Sequence, residues 1–424
     1  MNLFDELQWR GLVYDSTPEI RDRLAAEKVT AYVGFDPTAA SLHVGSLLPI
    51  MALARLQRFG HTPIAVVGGG TGLIGDPSGK TLERQLLTVE QVEANIVGIR
   101  EQLSRFLDFD AASNAAIIVN NHDWLGPVTL IEFLRDVGKH FTVNYMLAKE
   151  SVKRRVASED GISYTEFSYM LLQSYDYLVL HDRYDCTLQL GGSDQWGNIV
   201  AGAELIRRMK GAKAGALVMP LVTNAAGTKF GKTESGTVWL DPHLTSPYRF
   251  YQFWLNTDDQ DVGAYLRYFT WLEEAEIAGL EGEIRTDPGR REAQRRLASE
   301  VTAMVHGVAE RDRAIKAAGV LFGGDLADLS ADDLLDIFEE VPGSEVPPTL
   351  FGADGVPVLD LVADHTSLVS SRREARRLLE GGGLSINDRV IEDQLHQVRL
   401  GDAIEGRLLV LRKGKKNYHI VRIK

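Results

Sequence analysis

The 424-residue sequence holds a single cysteine, Cys186, so no internal disulfide can form. It contains no run of roughly 18 apolar residues, which leaves no segment fit to cross a bilayer as a helix. The opening stretch MNLFDELQWRGLVYDST is acidic and amphipathic, without the basic and then apolar regions of a secretory signal. These absences together fit a reducing cytosol, and Cys186 reads as a small core residue rather than a nucleophile. His43, His61, His122, His140 and His181 show no zinc-ligand spacing and have no cysteine partners. Lys and Arg are missing between Lys316 and Arg372, a stretch rich in acids. From Gly406 to the end there are seven Lys and Arg and no Asp or Glu. The net charge of −13 excludes a uniformly basic surface. An acidic body with a basic tail suits a polyanion gripped locally, and equally a plain solvated strand.

Hydrophobic residues, at 44 %, are ample for a core, and no internal repeat is evident. The first half alternates short apolar runs with helical patterns. Strands are predicted over 29–35, 62–70, 115–121, 186–192 and 215–222. Helices are predicted over 46–60, from Val89 to Phe106 by three-and-four spacing, and over 165–181. That alternation implies an α/β fold with a doubly wound parallel sheet, whose ligands bind at the carboxyl ends of the strands. From about Ser246 to Val320 the pattern is helical and aromatic-rich. An acidic stretch with Pro342, Pro347 and Pro348 follows, and then a small basic module.

Two motifs fail on context. Gly70-Thr71-Gly72-Leu73-Ile74-Gly75 has dinucleotide-loop spacing, but Asp76-Pro77 follows where a helix should run. Gly79-Lys80-Thr81 resembles the end of a phosphate loop, but the required earlier glycine falls on Ile74.

Five polar segments remain at or near strand ends. Tyr32-Val33-Gly34-Phe35-Asp36-Pro37-Thr38 leads into Leu42-His43-Val44-Gly45-Ser46, where a histidine and a glycine open a helix and let a phosphate approach. Gly75-Asp76 leads to Lys80. Tyr169, Gln173 and Asp176 share one helix face by i, i+4, i+7 spacing. Gln189 opens a segment running through Gly191-Gly192-Ser193-Asp194-Gln195-Trp196-Gly197. Lys229-Phe230-Gly231-Lys232-Thr233 places two lysines on a glycine-containing loop, which suits a departing pyrophosphate.

The order Asp-Pro-Thr…Leu-His-Val-Gly resembles the H-I-G-H signature of class I aminoacyl-tRNA synthetases. Lys-Phe-Gly-Lys-Thr is similar to the K-M-S-K-S signature in its bacterial tyrosyl form. TEFSYMLLQSYDY and LQLGGSDQWGNI look like the tyrosine-specific segments of the tyrosyl-tRNA synthetase family, and SRREARRLLEGGGLSIND resembles an S4-type RNA-binding module. Ser46 departs from the pattern by standing at the second signature histidine. A hydroxyl there donates a hydrogen bond, but not a charge-assisted one.

The resemblance implies a tyrosine–tRNA ligase with four regions: a Rossmann-like catalytic domain over 1–222, the signature loop and a helical anticodon-side domain over 223–320, an acidic linker over 321–352, and an S4-like domain over 353–424. It implies a tyrosine site of Tyr32, Asp76, Tyr169, Gln173, Asp176 and Gln189. ATP, as substrate, falls to Gly34, Asp36, His43, Gly45, Ser46, Gly192, Asp194, Gln195 and Lys232. Catalysis falls to His43, Thr38, Lys80, Arg84, Lys229, Lys232 and Thr233. Mg²⁺ is expected to arrive with the nucleotide, without a dedicated protein site. The tRNA partner is expected at Lys149, Lys153, Arg154 and the adjacent Arg155, at Arg207 and Arg208, and at Arg412, Lys413, Lys415 and Lys416. A homodimer through FTVNYMLAKESV and the helix from Tyr164 is expected, in the cytoplasm. The rival readings are a tryptophan-activating relative, disfavoured by Asp176 and Tyr32, and a catalytically silent RNA-binding paralogue.

Overall fold

A computed structural model describes the chain apart from residues 1, 77–86, 160, 226–229, 234–235, 321–325, 327–328, 340 and 415–416, and apart from the side chains of Ser151, Lys232 and Thr233. The chain forms two compact units, one of Met1–Leu244 with Thr257–Leu297, the other of Thr245–Asn256 with Ala298–Lys424.

The first unit is built on a six-stranded sheet. Its strands are β1 (Asp15–Ser16), β2 (Thr30–Phe35), β3 (Thr62–Val67), β4 (Ile117–Asn120), β5 (Cys186–Gly192) and β6 (Gly215–Met219), in the spatial order β1-β6-β5-β2-β3-β4. All neighbours run parallel except the short β1, which pairs antiparallel with β6. The central strands are apolar on both faces because helices cover both sides; β3 buries five of its six residues. The order reverses between β2 and β5, and a crevice opens at that switch point.

The main helices are α1 (Leu47–Arg58), α2 (Val89–Leu103), α3 (Tyr164–Tyr184) and α4 (Trp196–Lys210). Each has a local reason for its ends. Ser163 caps α3 by accepting from the Glu166 N–H, and Asp185 closes it in a left-handed conformation, φ 50°. A 3-10 turn at Val44–Ser46 leads into α1, with the His43 ring accepting from the Gly45 N–H. β6 stops before the expected residue 222 because Pro220 has no N–H to give the ladder.

The helical region expected from residue 223 shares residues with both compact units. Residues 257–297 belong to the first unit. Buried Arg10 and Arg55 donate to the Arg267 and Thr270 carbonyls at the end of helix Asp259–Phe269. Phe230 stacks on Phe269 with centroids 5.4 Å apart and meets Tyr265 edge-on at 5.0 Å. Two arginines fully buried against carbonyls leave no periodic trace in a sequence.

In the second unit, within the stretch expected as a linker, the described residues include a helix and a strand. Ser330 caps a helix, Ala331–Ile337, whose Ala331, Leu334 and Ile337 join a core with Val320, Leu408, Val410 and Ile420. Gly343–Val346 then adds a parallel edge strand to Asn417–Ile423 in a five-stranded sheet. Asp332, Glu339, Pro342, Glu345, Pro347 and Pro348 are exposed there. A second core gathers Val358, Leu361, Leu379, Leu384 and Leu411 around the helix Arg372–Glu380.

Candidate active site

The crevice between β2 and β5 is a cavity of about 330 Å³. Tyr32, Gly34, Asp36, Thr38, His43, Gly45, Ser46, Asp76, Tyr169, Gln173, Asp176, Gln189, Gly192, Asp194 and Gln195 all line it. Segments as far apart in the chain as Tyr32 and Gln195 therefore converge, because parallel strands deliver all their carboxyl ends to one edge of the sheet. Lys80, Arg84, Lys229, Lys415 and Lys416 lie outside the described residues. Lys232 and Thr233 are described in backbone only, paired with Gly236–Thr237.

At one end of the cavity Asp176, 4 % exposed, is fixed from both sides. Trp124 Nε1 donates to its Oδ1 at 2.7 Å, and Asn121 Nδ2 to its Oδ2 at 2.9 Å. Burial raises its pKa to about 7, and these two hydrogen bonds hold it from going higher. Tyr32 is 2 % exposed, and its phenol is pushed well above its usual pKa by burial and then by the Asp176 charge. Among the described residues neither Tyr32 Oη nor Gln189 Oε1 has a hydrogen-bond partner. Buried polar atoms left so are costly and rare in native cores. A ligand with its own polar tip would satisfy them.

At the other end the turn from His43 to Ser46 needs its glycine. A Cβ on Gly45 would stand 2.8 Å from the His43 ring. Gly192 is similarly confined, since a Cβ there would meet Asp194 Oδ1 at 2.6 Å. The two signature segments are joined by backbone hydrogen bonds. Val44 N–H donates to the Val238 carbonyl at 3.0 Å, Val238 N–H to the Gly231 carbonyl at 3.1 Å, and Leu240 N–H to the Leu42 carbonyl at 2.9 Å. Gly231 has φ 82°, and a Cβ there would lie 2.6 Å from the Val44 side chain. Between the two ends Gln195 Nε2 donates to Asp76 Oδ2 at 2.7 Å, and Asn198 Nδ2 donates to Gln173 Oε1 at 3.0 Å.

Thr71, Asn121, Trp124 and Asn198 were not singled out from the sequence. Asn121 also donates to Thr71 Oγ1 at 2.9 Å and accepts from the Gly70 N–H at 2.7 Å. The available signal was the Asn120-Asn121 pair closing an apolar strand, at the edge where ligands bind. Trp124 offers no such signal, because an indole near a strand end is ordinarily plain core.

The basic residues fare differently. Lys153 and Arg154 are exposed on the helix Glu150–Val156, and Lys149 rests its ammonium 4.2 Å from the Tyr145 ring centre. Arg155, one position on, is turned inward: its guanidinium makes a bidentate pair with Glu166, both buried. It is thus removed from any exposed basic patch. Arg207 and Arg208 are exposed but share Glu204. Arg412 and Lys413 lie on the strand Leu408–Lys413, 3.6 Å from Asp388 and 2.5 Å from Glu374 respectively. Among the described residues no group of three His, Cys, Asp or Glu could hold a metal ion.

Fold and cavity together define a doubly wound α/β protein with a switch-point ligand site, polar at both ends. The family model described as class I tRNA synthetases (W and Y) matches residues 24–323, and that of the tyrosine–tRNA ligase C-terminal domain matches 333–421. The chain belongs to the class I tRNA synthetases of this tryptophan and tyrosine group, in the branch of the tyrosine–tRNA ligases. A tyrosine–tRNA ligase of Roseiflexus castenholzii is 59 % identical over 421 residues, 99 % of each chain. Another of Bacillus caldotenax is 53 % identical over the whole of both chains. A C-terminally truncated mitochondrial tyrosyl-tRNA synthetase of Aspergillus nidulans superposes with TM-score 0.68 at 31 % identity, covering 76 % of this chain and 94 % of that one.

Proposed function

We infer that the β2–β5 cavity carries out both steps of tyrosine–tRNA ligation. The tyrosine carboxylate attacks the α-phosphorus of ATP; the bond to the pyrophosphate breaks, and tyrosyl-adenylate forms. The terminal ribose hydroxyl of tRNA then attacks the tyrosyl carbonyl and AMP leaves. The first step uses no side-chain nucleophile, so positioning and charge stabilisation carry it.

The observation that carries this reading is a buried carboxylate beside a phenol without a partner. Asp176 and Tyr32 bond the substrate's phenolic tip. Asp76, Tyr169 and Gln173 hold its ammonium, with Gln189 alongside. Gly34, Asp36, His43, Gly45, Ser46, Gly192, Asp194, Gln195 and Lys232 bind ATP, and His43 and Thr38 also serve catalysis. Lys80, Arg84, Lys229, Lys232 and Thr233 act on the pyrophosphate as charge builds on it. Mg²⁺ enters with the nucleotide. The tRNA is held by Lys149, Lys153, Arg154, Arg207, Arg208, Arg412, Lys413, Lys415 and Lys416, with the salt dependence of any phosphate contact.

Tyrosine-dependent exchange of labelled pyrophosphate into ATP tests the assignment. Tyrosine is expected to drive it, and tryptophan and phenylalanine are not. Equal exchange with tryptophan, or none with any amino acid, defeats it.

A homodimer is part of the same reading. It is supported by apolar surface around the predicted segment: Ile131 is 72 % and Tyr164 70 % exposed, with Leu130, Val143 and Leu147 also open. Sedimentation should give twice the chain mass of 46.9 kDa; a single-chain mass at micromolar concentration removes the dimer. Among the described residues no helix is long and apolar enough to cross a membrane. The cytoplasm is the compartment this reading assigns.

A further inference from the structure

The polar groups behind the cavity form one directed chain. A carboxylate only accepts hydrogen bonds. Gln195 must therefore turn its amide nitrogen towards Asp76, and Nε2 donates to Oδ2 at 2.7 Å. Its Oε1 is then left to accept, and Asn198 Nδ2 donates to it at 3.4 Å. The same Nδ2 donates to Gln173 Oε1 at 3.0 Å. One acidic acceptor thus sets the sense of every amide in the row. Asp76, Gln173 and Gln195 line the cavity; Asn198, 8 % exposed, stands behind them and does not.

We propose that Asn198 is a positioning residue: by fixing the amide orientation of Gln173, it sets the affinity of the site for the substrate's ammonium group. The inference rests on the reading of Asp76, Tyr169 and Gln173 as the ammonium site. An ammonium only donates, so it needs oxygen from Gln173 and not the amide nitrogen. A carbonyl oxygen has two lone pairs; the one engaged by Asn198 leaves the other for the ligand. The terminal torsion of a glutamine is broad and two-fold. Without the donor behind it, the Gln173 amide turns over at little cost and presents N–H groups to a cation. Gln195 keeps its orientation in that case, because its bond to the Asp76 carboxylate remains. Asn198 lies one helical turn after Gln195, at i+3, so the first turn of α4 places it beneath both glutamines.

The test compares tyrosine with 3-(4-hydroxyphenyl)propionate, which is tyrosine without its ammonium. Equilibrium binding of both is measured on the full-length wild type, on Asn198→Leu, which keeps the branched heavy-atom skeleton and loses the donor, and on Asn198→Ala. Tyrosine affinity is expected to fall about tenfold in both variants, the size of one lost positioning hydrogen bond. Affinity for the propionate is expected to stay within about twofold, which also shows that the variants are folded. Equal losses for the two ligands would mean a merely structural role and overturn the proposal, as would no loss for either. A wild type that prefers tyrosine no more than the propionate removes the ammonium site itself, and the role of Asn198 with it.

Discussion

Asp176→Ala is expected to collapse discrimination between tyrosine and phenylalanine in pyrophosphate exchange while leaving the Michaelis constant for ATP within about threefold of its original value. A site built to bond a hydroxyl rejects the analogue lacking it because its own buried polar groups are left unpaired. The range of roughly 10⁴–10⁵ is the one established for tyrosine-activating enzymes themselves. Here the group left unpaired has a name, the Tyr32 hydroxyl, and beside it the Asp176 carboxylate is held ready by Trp124 and Asn121 to accept from the substrate's phenol. Retention of discrimination within a factor of ten would place the selectivity elsewhere.

The same carboxyl governs a pH effect of definite sign. Its pKa is about 7 in the folded chain against 3.8 ordinarily. Between those values the folded chain holds a proton that the unfolded chain has released. Raising the pH through this window therefore lowers stability, by on the order of 4 kcal/mol if the site acts alone, and above about 7 the loss is complete. Asp176→Asn cannot ionise, so its stability should be flatter than the wild type between pH 4 and 7 in urea titrations. Parallel curves would show that the titration resides elsewhere.

Lys232→Ala is expected to slow tyrosine-dependent exchange by roughly 10²–10³ while tyrosine affinity changes by less than about twofold, the pattern of a group that acts on charge developing in the transition state. The chain carrying Lys232 leaves Gly231, which packs against Val44, and pairs back through Gly236–Thr237. Its backbone is thereby tied to the His43–Ser46 turn by the Val44, Val238 and Leu240 hydrogen bonds. A fall confined to tyrosine binding, with the exchange rate at saturation intact, would take Lys232 out of the pyrophosphate step.

Much of this arrangement was legible in the sequence, for reasons that differ by element. The strands were readable because burial on both faces demands apolar runs, as in Thr62–Val67; Cys186–Gly192 was predicted to the residue even though Thr187 and Gln189 interrupt its apolar pattern. Helix α3 was readable from its spacing, and the Tyr169, Gln173 and Asp176 face from its polarity within an otherwise apolar pattern. Strand order follows from right-handed crossovers only as a class, so the meeting of β2 with β5 had to come from the fold. Within the acidic stretch 321–352 composition reports solvation, not pairing. Its edge strand Gly343–Val346 is held by Asn417–Ile423, some seventy residues away.

What the sequence by itself determined is the chemistry on offer: which side chains could bond a phenol, an ammonium or a phosphate, and on which kinds of element they ride. Short-range periodicity and signature spacing are local properties, and a linear string records them. Only the tertiary structure decided which neighbour each group answers to. Trp124 and Asn121 hold Asp176, Asn198 stands behind two glutamines, and Arg155 spends its charge on Glu166 in the interior. Hydrogen bonds act over about 3 Å of space and are indifferent to distance along the chain. Partners 50 residues apart therefore leave no mark on one another until the sheet brings its strand ends together.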